Sequence, residues 1–126
     1  MPARTPEDCD HLLGDFLSSG SVDDILTLYE PDATFVTQDR QRLSGQAAVR
    51  EVMTAFASAR PRLTSNLMMV ARQGEDLAVI YNDWTLTAVG PEGKTVEQSG
   101  RAIEVVRRQP DGTWRFAFDD PFARGM

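Results

Sequence analysis

Residues 77–120 read LAVIYNDWTLTAVGPEGKTVEQSGRAIEVVRRQPDGTWRFAFDD, and this stretch decides the fold. Leu77–Val89 is rich in Val, Ile, Tyr, Trp and Thr, whose branched or flat side chains suit a pleated surface. Gly90-Pro91-Glu92-Gly93 has the composition of a hairpin turn, and Lys94–Arg108 returns as a second strand. Gln109-Pro110-Asp111-Gly112 is another turn, followed by a strand from Thr113 to Asp119 that Asp120-Pro121 ends. Just upstream, Leu63–Arg72 is a candidate strand, and Gln73-Gly74-Glu75-Asp76 turns it into the next. Consecutive strands joined by tight turns predict an antiparallel meander.

The chain before the meander is helical. Thr5 can cap a helix whose first turn holds Pro6, with Asp8 near the capping-box position. Cys9, Leu12, Leu13, Phe16 and Leu17 fall on one stripe of that helix, and Ser18-Ser19-Gly20 ends it. Ser21 opens a short second helix with Val22, Ile25, Leu26 and Tyr29 on its apolar face, stopped by Pro31-Asp32. Ala33–Thr37 is a short strand, and the polar run TQDRQRL from Thr37 to Leu43 a loop. Ser44-Gly45 opens a third helix that buries Ala48, Val49, Val52, Met53 and Phe56, and Pro61 closes it. Helices first and a meander afterwards predict an α+β fold with the helices on one face of a curved sheet.

Composition narrows the function. The chain has 126 residues with 13 Lys and Arg against 19 Asp and Glu, and a net charge of −6 argues against a nucleic-acid surface. One Cys and one His exclude an internal disulfide and a His/Cys zinc site, so no metal or cofactor is expected. No run of about 18 apolar residues could span a membrane. The polar, acidic start MPARTPEDCD does not read as a signal peptide, so the expected location is the cytoplasm. There is no glycine-rich phosphate loop, no Gly-x-Ser-x-Gly elbow and no His-Glu-x-x-His. No Pro/Gly/Ser linker divides residues 1–126, which read as one domain.

The stretch Leu28-Tyr29-Glu30-Pro31-Asp32-Ala33-Thr34-Phe35, followed by Ser44-Gly45-Gln46-Ala47-Ala48-Val49-Arg50, resembles the front half of the nuclear-transport-factor-2-like superfamily. Gly100 to Arg115, continuing through Asp119-Asp120-Pro121, is similar to its SnoaL-like, or ketosteroid isomerase homologue, branch. The resemblance spans residues 5 to 122. It implies a cone-shaped barrel of curved, mainly antiparallel sheet, with three N-terminal helices on the concave face and a pocket between them. It also implies a homodimer through the outer face of the sheet. The isomerase members use a Tyr, an Asp and a second acid; these positions match Leu13, Thr37 and Arg101 here, which lack that chemistry.

Candidate site residues follow from strand periodicity and that resemblance. Ser99, Arg101, Ile103 and Val105 share a face, which the resemblance turns toward the pocket. Arg101 there is either an anchor for an anionic oxygen or a structural partner of Asp119. The resemblance puts Asp119 inside, as a general acid or base, and Asp120 at the mouth, unless a bulge exchanges them. Asn82, Trp84 and Leu86 share a face of their strand and would orient a ligand. Trp114, Phe116 and Phe118 alternate with Arg115, Ala117 and Asp119, so the aromatic set is expected on the dimer face. His11 reads as a surface residue and Cys9 as a buried one. Glu7, Asp8 and Asp10 read as a solvated helix start.

Three readings of function come out of this. The first is a pocket protein that binds a small, largely apolar molecule, an acidic one suiting Arg101. The second is an isomerase, cyclase or hydratase on such a molecule, with Asp119 moving a proton and Arg101 holding an oxyanion. The third is a dimeric interaction module. A carboxylate locked to Arg101 would favour binding or structure; a free one in a dry pocket would favour chemistry.

Overall fold

A computed structural model describes residues 2–124. Helix α1 (Pro6–Ser19) starts on a complete capping box: the Asp8 amide donates to the Thr5 hydroxyl, and the Thr5 amide donates to the Asp8 carboxylate, both at 3.2 Å. Gly20 ends it at φ 73°, a left-handed conformation that glycine adopts without a Cβ penalty. Helix α2 is short (Val22–Leu26), and α3 runs from Gln46 to Ala57. Their apolar stripes meet α1 and the sheet around Leu13, Leu17, Ile25, Val49 and Met53, all buried.

The strands are β1 (Tyr29–Val36), β2 (Arg42–Ser44), β3 (Arg62–Gln73), β4 (Leu77–Val89), β5 (Thr95–Arg108) and β6 (Trp114–Asp120). They form one curved, open sheet in the order β2-β1-β6-β5-β4-β3, in which β1 and β6 run parallel and every other pair antiparallel. The α+β architecture matches the expectation, with two local differences. Tyr29 through Asp32 belong to β1 rather than to the end of α2, because β1 extends along β6 from the pair Tyr29 and Phe116. The TQDRQRL loop is a hairpin closed by the Thr37 amide on the Gln41 carbonyl, 2.9 Å, and its far arm is β2.

Two register effects decide which side chains enter the concave face. The loop between β4 and β5 spans residues 90–94 rather than 90–93, so Val89 pairs with Thr95 and Asp83 with Arg101. A four-residue turn would have put Arg101 opposite Asn82. One residue of register moves every side chain to the other face. The inward set of β5 is therefore Gly100, Ala102, Glu104 and Val106, and Arg101, Ser99 and Ile103 point outward. In β6 the pairs Val106–Phe116 and Val105–Phe118 leave Ala117 as an extra, bulged residue. Trp114 and Phe116 face inward before the bulge, and Asp119 faces inward after it. The aromatic set expected on the outer face is thus split: Trp114 and Phe116 are core, and only Phe118 remains outside.

Gly100 is required by what lies over it. A Cβ built there would sit 2.6 Å from Trp84 Cζ2 and 2.7 Å from the Pro121 carbonyl oxygen. The indole of Trp84 rests against this bare backbone, and its Nε1–H donates to the Pro121 carbonyl at 2.8 Å.

Candidate functional site

Between the helices and the inner face of the sheet lies a cavity of about 60 Å³. Its walls are Leu13 and Leu17 of α1, Phe35 of β1, Met53 of α3 and Trp84 of β4. Phe56, Leu63, Leu86 and Pro121 are half-buried and mark the mouth. The floor is polar, formed by Asp10, Asn82, Glu104 and Asp119, none more than 3% exposed.

Each floor residue is set in place by ordinary backbone geometry. Asp10 stands on the buried stripe of α1 that also contains Pro6, Cys9, Leu13 and Leu17. Asn82 and Glu104 sit on neighbouring strands, and Asn82 Nδ2 donates to Glu104 Oε2 at 3.5 Å and to Ser65 Oγ at 3.2 Å. Glu104 is directly paired with Asp119 across β5 and β6. The Tyr29 hydroxyl donates to Asp119 Oδ2 at 2.6 Å, and the Tyr29 ring packs on Phe116 with centroids 4.9 Å apart.

Burial in this apolar setting disfavours every negative charge on the floor. It lifts the Asp119 carboxyl to about 7, aided by Asp10 and Asp120 and opposed by the Tyr29 hydrogen bond. Glu104 rises well above the ordinary carboxyl range, through burial first and the facing Asp10 second. Asp10 is raised by burial too, although its contact with Glu104 works the other way. Asp10 and Glu104 lie within hydrogen-bond reach of each other, an arrangement that a proton on either one closes. The Tyr29 phenol is pushed up by burial and by Asp119, so it stays a donor.

Of the expected site residues, Asn82, Trp84, Leu86 and Asp119 line this cavity. Arg101 and Ser99 are exposed and Ile103 is half-buried on the opposite face, so the pocket orientation expected for them is corrected by the β4–β5 register. Arg101 meets neither Asp119 nor the cavity; its carbonyl accepts the Arg124 amide at 3.1 Å. Asp120 is buried but does not line the cavity: Arg40, on the β1–β2 hairpin, grips both its oxygens at 2.9 and 2.7 Å. Leu13 lines the wall, whereas the Thr37 hydroxyl turns to Asp39. His11 is exposed, Cys9 is buried, and burial pushes the Cys9 thiol up.

Asp10, expected as part of a solvated helix start, is instead buried on the cavity floor, because its helical phase places it on the inward stripe; Glu104 and Tyr29 are not singled out as site residues by the sequence analysis. Asp10 was legible, since it falls four residues after Pro6 and three before Leu13 on the buried stripe. Glu104 was the charged member of the small and apolar alternation Gly100, Ala102, Val106, a pattern that points inward. Tyr29 carried no such mark, because its spacing fits the stripe of α2 equally well.

Residues 12–118 match the family described as SnoaL-like domain. No curated protein matches the chain. Among solved structures, a candidate calcium/calmodulin-dependent protein kinase type II association domain from Thiobacillus denitrificans superposes with a TM-score of 0.76 at 25% identity, over 97% of this chain and 98% of that one. A ketosteroid isomerase-like protein from Erwinia carotovora atroseptica gives 0.76 at 14% identity, covering 90% and 89%. A nuclear-transport-factor-2-like protein with a cystatin-like fold from Novosphingobium aromaticivorans gives 0.75 at 16% identity, covering 90% and 75%.

Proposed function

For a chain that belongs to the SnoaL-like domain family, we propose that the cavity binds a small, largely apolar molecule and moves a proton on it. The observation that carries this is Asp119. One of its oxygens is held by the Tyr29 hydroxyl, while the other, Oδ1, has no partner in an apolar cavity. A carboxyl lifted to about 7 changes hands with its proton near neutral pH, which is what a general acid or base requires. Arg101 does not pair with it, which supports the reading of a carboxyl available for chemistry. The walls offer Trp84, Met53 and Leu13 to an apolar body.

The same reading includes a second copy of the chain on the outer face of the sheet. Val79, Ile103, Val105 and Phe118 face outward there with no described helix or strand over them, an apolar surface suited to an identical sheet, and Arg124 stacks on the neighbouring Tyr81 ring. No helix among the described residues is long and apolar enough to cross a membrane. A cytoplasmic location fits the single Cys9 as a thiol.

The test is deuterium exchange. Small ketones and aldehydes that shift the Trp84 indole resonance are incubated with the protein in D₂O, and loss of the α-hydrogen signal is followed. Wild type should exchange at least one bound compound, with a rate that turns over near pH 7, and Tyr29→Phe should move that inflection upward. Asp119→Asn should still bind and should lose on the order of 10²–10⁴-fold in rate. Bound compounds that exchange equally fast with Asp119→Asn would refute the proposal.

A further inference from the structure

Among the described residues, seven buried side-chain polar atoms lack a hydrogen-bond partner, and five of them are oxygens of cavity-lining residues: both of Asp10, Asn82 Oδ1, Glu104 Oε1 and Asp119 Oδ1. With the carboxyls ionised, all five are acceptors. The cavity lining contains no Lys, Arg or His to supply a donor. A proton between Asp10 and Glu104 joins those two carboxyls, and the Asn82 amide lies close to Asp10, yet Asn82 Oδ1 and Asp119 Oδ1 stay open. Buried acceptors without donors are rare in folded proteins, because each forfeits its hydration. What is missing from this floor is a compact group rich in N–H or O–H, and a positive charge on it would face the Asp10 and Glu104 carboxyls.

We infer that the ligand of this cavity carries a protonated amino group, seated on Asp10, Glu104 and Asn82, with an apolar body against Trp84, Leu13 and Met53. The inference rests on the reading of the cavity as a ligand site and deepens it. It reverses the expectation of an acidic ligand, since the one arginine that would have held an anion lies on the far face of the sheet. An ammonium has three donors and no acceptor, the complement of this floor. Its bonds to carboxylates are charge-assisted. Among the described residues no three His, Cys, Asp or Glu side chains are placed to share a metal ion, so an organic cation is the fitting one. Size limits it further: about 60 Å³ is well below the roughly 150 Å³ of a benzene-binding cavity. The enclosed part of the ligand is therefore a short aliphatic amine, and a longer body must leave past Phe56 and Leu63.

Binding an ammonium also has a proton balance. The groups facing the floor are Asp10 and, from the exposed side of the same helix, His11; Tyr29 from β1; Glu104 from β5; and Asp119 with its neighbour Asp120 from β6. With the acids partly protonated, the arriving ammonium displaces a proton into solvent and leaves a carboxylate opposite it.

Three probes that share a branched four-carbon body test this: isobutylamine, isobutanol and isobutyrate. Each is titrated at pH 7 into ¹⁵N-labelled protein while the Asn82 amide and Trp84 indole resonances are followed, and proton release is measured calorimetrically in two buffers of different ionisation enthalpy. Isobutylamine should bind about tenfold tighter than isobutanol and release a proton, with isobutyrate weakest. Glu104→Gln, and independently Asp10→Asn, should abolish the preference for amine over alcohol while keeping the Trp114 indole signal of the folded core. Isobutanol or isobutyrate binding as tightly as the amine, or amine binding without proton release, overturns the inference and leaves the ligand site standing. Binding of none of the three overturns both.

Discussion

Replacing Asp119 with asparagine should stabilise the protein at neutral and alkaline pH and do so progressively less as the pH falls. Burial lifts this carboxyl from an ordinary 3.8 to about 7 in the folded chain. The folded state then holds the proton more tightly than the unfolded one. The stabilisation is complete below the unfolded value and is lost as the pH climbs from about 4 to about 7. A gap of about 3 pH units, at roughly 1.4 kcal/mol each, makes the whole loss about 4 kcal/mol. At pH 5 about one unit of that gap has already been crossed, so about 3 kcal/mol remains between pH 5 and pH 8. Asparagine has no proton to lose, and its Oδ1 can still accept the 2.6 Å bond from the Tyr29 hydroxyl. Urea unfolding of both proteins at pH 5 and pH 8 gives the difference directly. Asp10 and Glu104 interact with Asp119, so removing its charge also eases their ionisation and adds to the difference in the same direction. The stability of Asp119→Asn relative to wild type should rise by at least about 3 kcal/mol between the two pH values. A difference that does not change with pH, or that moves toward wild type at pH 8, would show that burial does not govern this carboxyl.

Two further substitutions test the frame around the cavity. Gly100→Ala forces a methyl group into the 2.6 Å approach to Trp84 and the 2.7 Å approach to Pro121, and should lower stability by about 1–3 kcal/mol in thermal melts; a melting temperature equal to wild type would contradict the packing described. Arg40→Ala should lower the urea midpoint by leaving Asp120 buried without its two-pronged partner, and Arg40→Lys should restore it only in part because an ammonium cannot make the fork. An unchanged midpoint for Arg40→Ala would mean that Asp120 does not need the hairpin.

Element types were legible because periodicity and turn chemistry both act locally. The helical stripe of Cys9, Leu13 and Leu17 and the alternation of Asn82, Trp84 and Leu86 each appear in the fold with the faces they imply. Facing was illegible wherever it depended on a single residue of register. Lys94 is as plausible in a strand as in a turn, yet its place in the turn sends Arg101 outward and Glu104 inward. Ala117 gives no sign of being a bulge, yet it lets Phe116 and Asp119 enter the same face three positions apart. Asp10 was obscured for a different reason. Its neighbours Glu7 and Asp8 supply the charge and capping expected of a first turn, so a third acid looked like more of the same. Its partner Glu104 is 94 positions away, and only the folded chain brings the two together.

The parallel seam between β1 and β6 has a kinetic consequence. Strands β3 to β6 are neighbours in sequence and can zip as one unit of hairpins, whereas Phe35 must find Asp119 across the whole meander. Closing so long a loop is entropically opposed until the meander already exists to receive β1. During synthesis the amphipathic helices and the β1–β2 hairpin therefore emerge first and wait, their apolar stripes unshielded, for a docking edge that β6 supplies last.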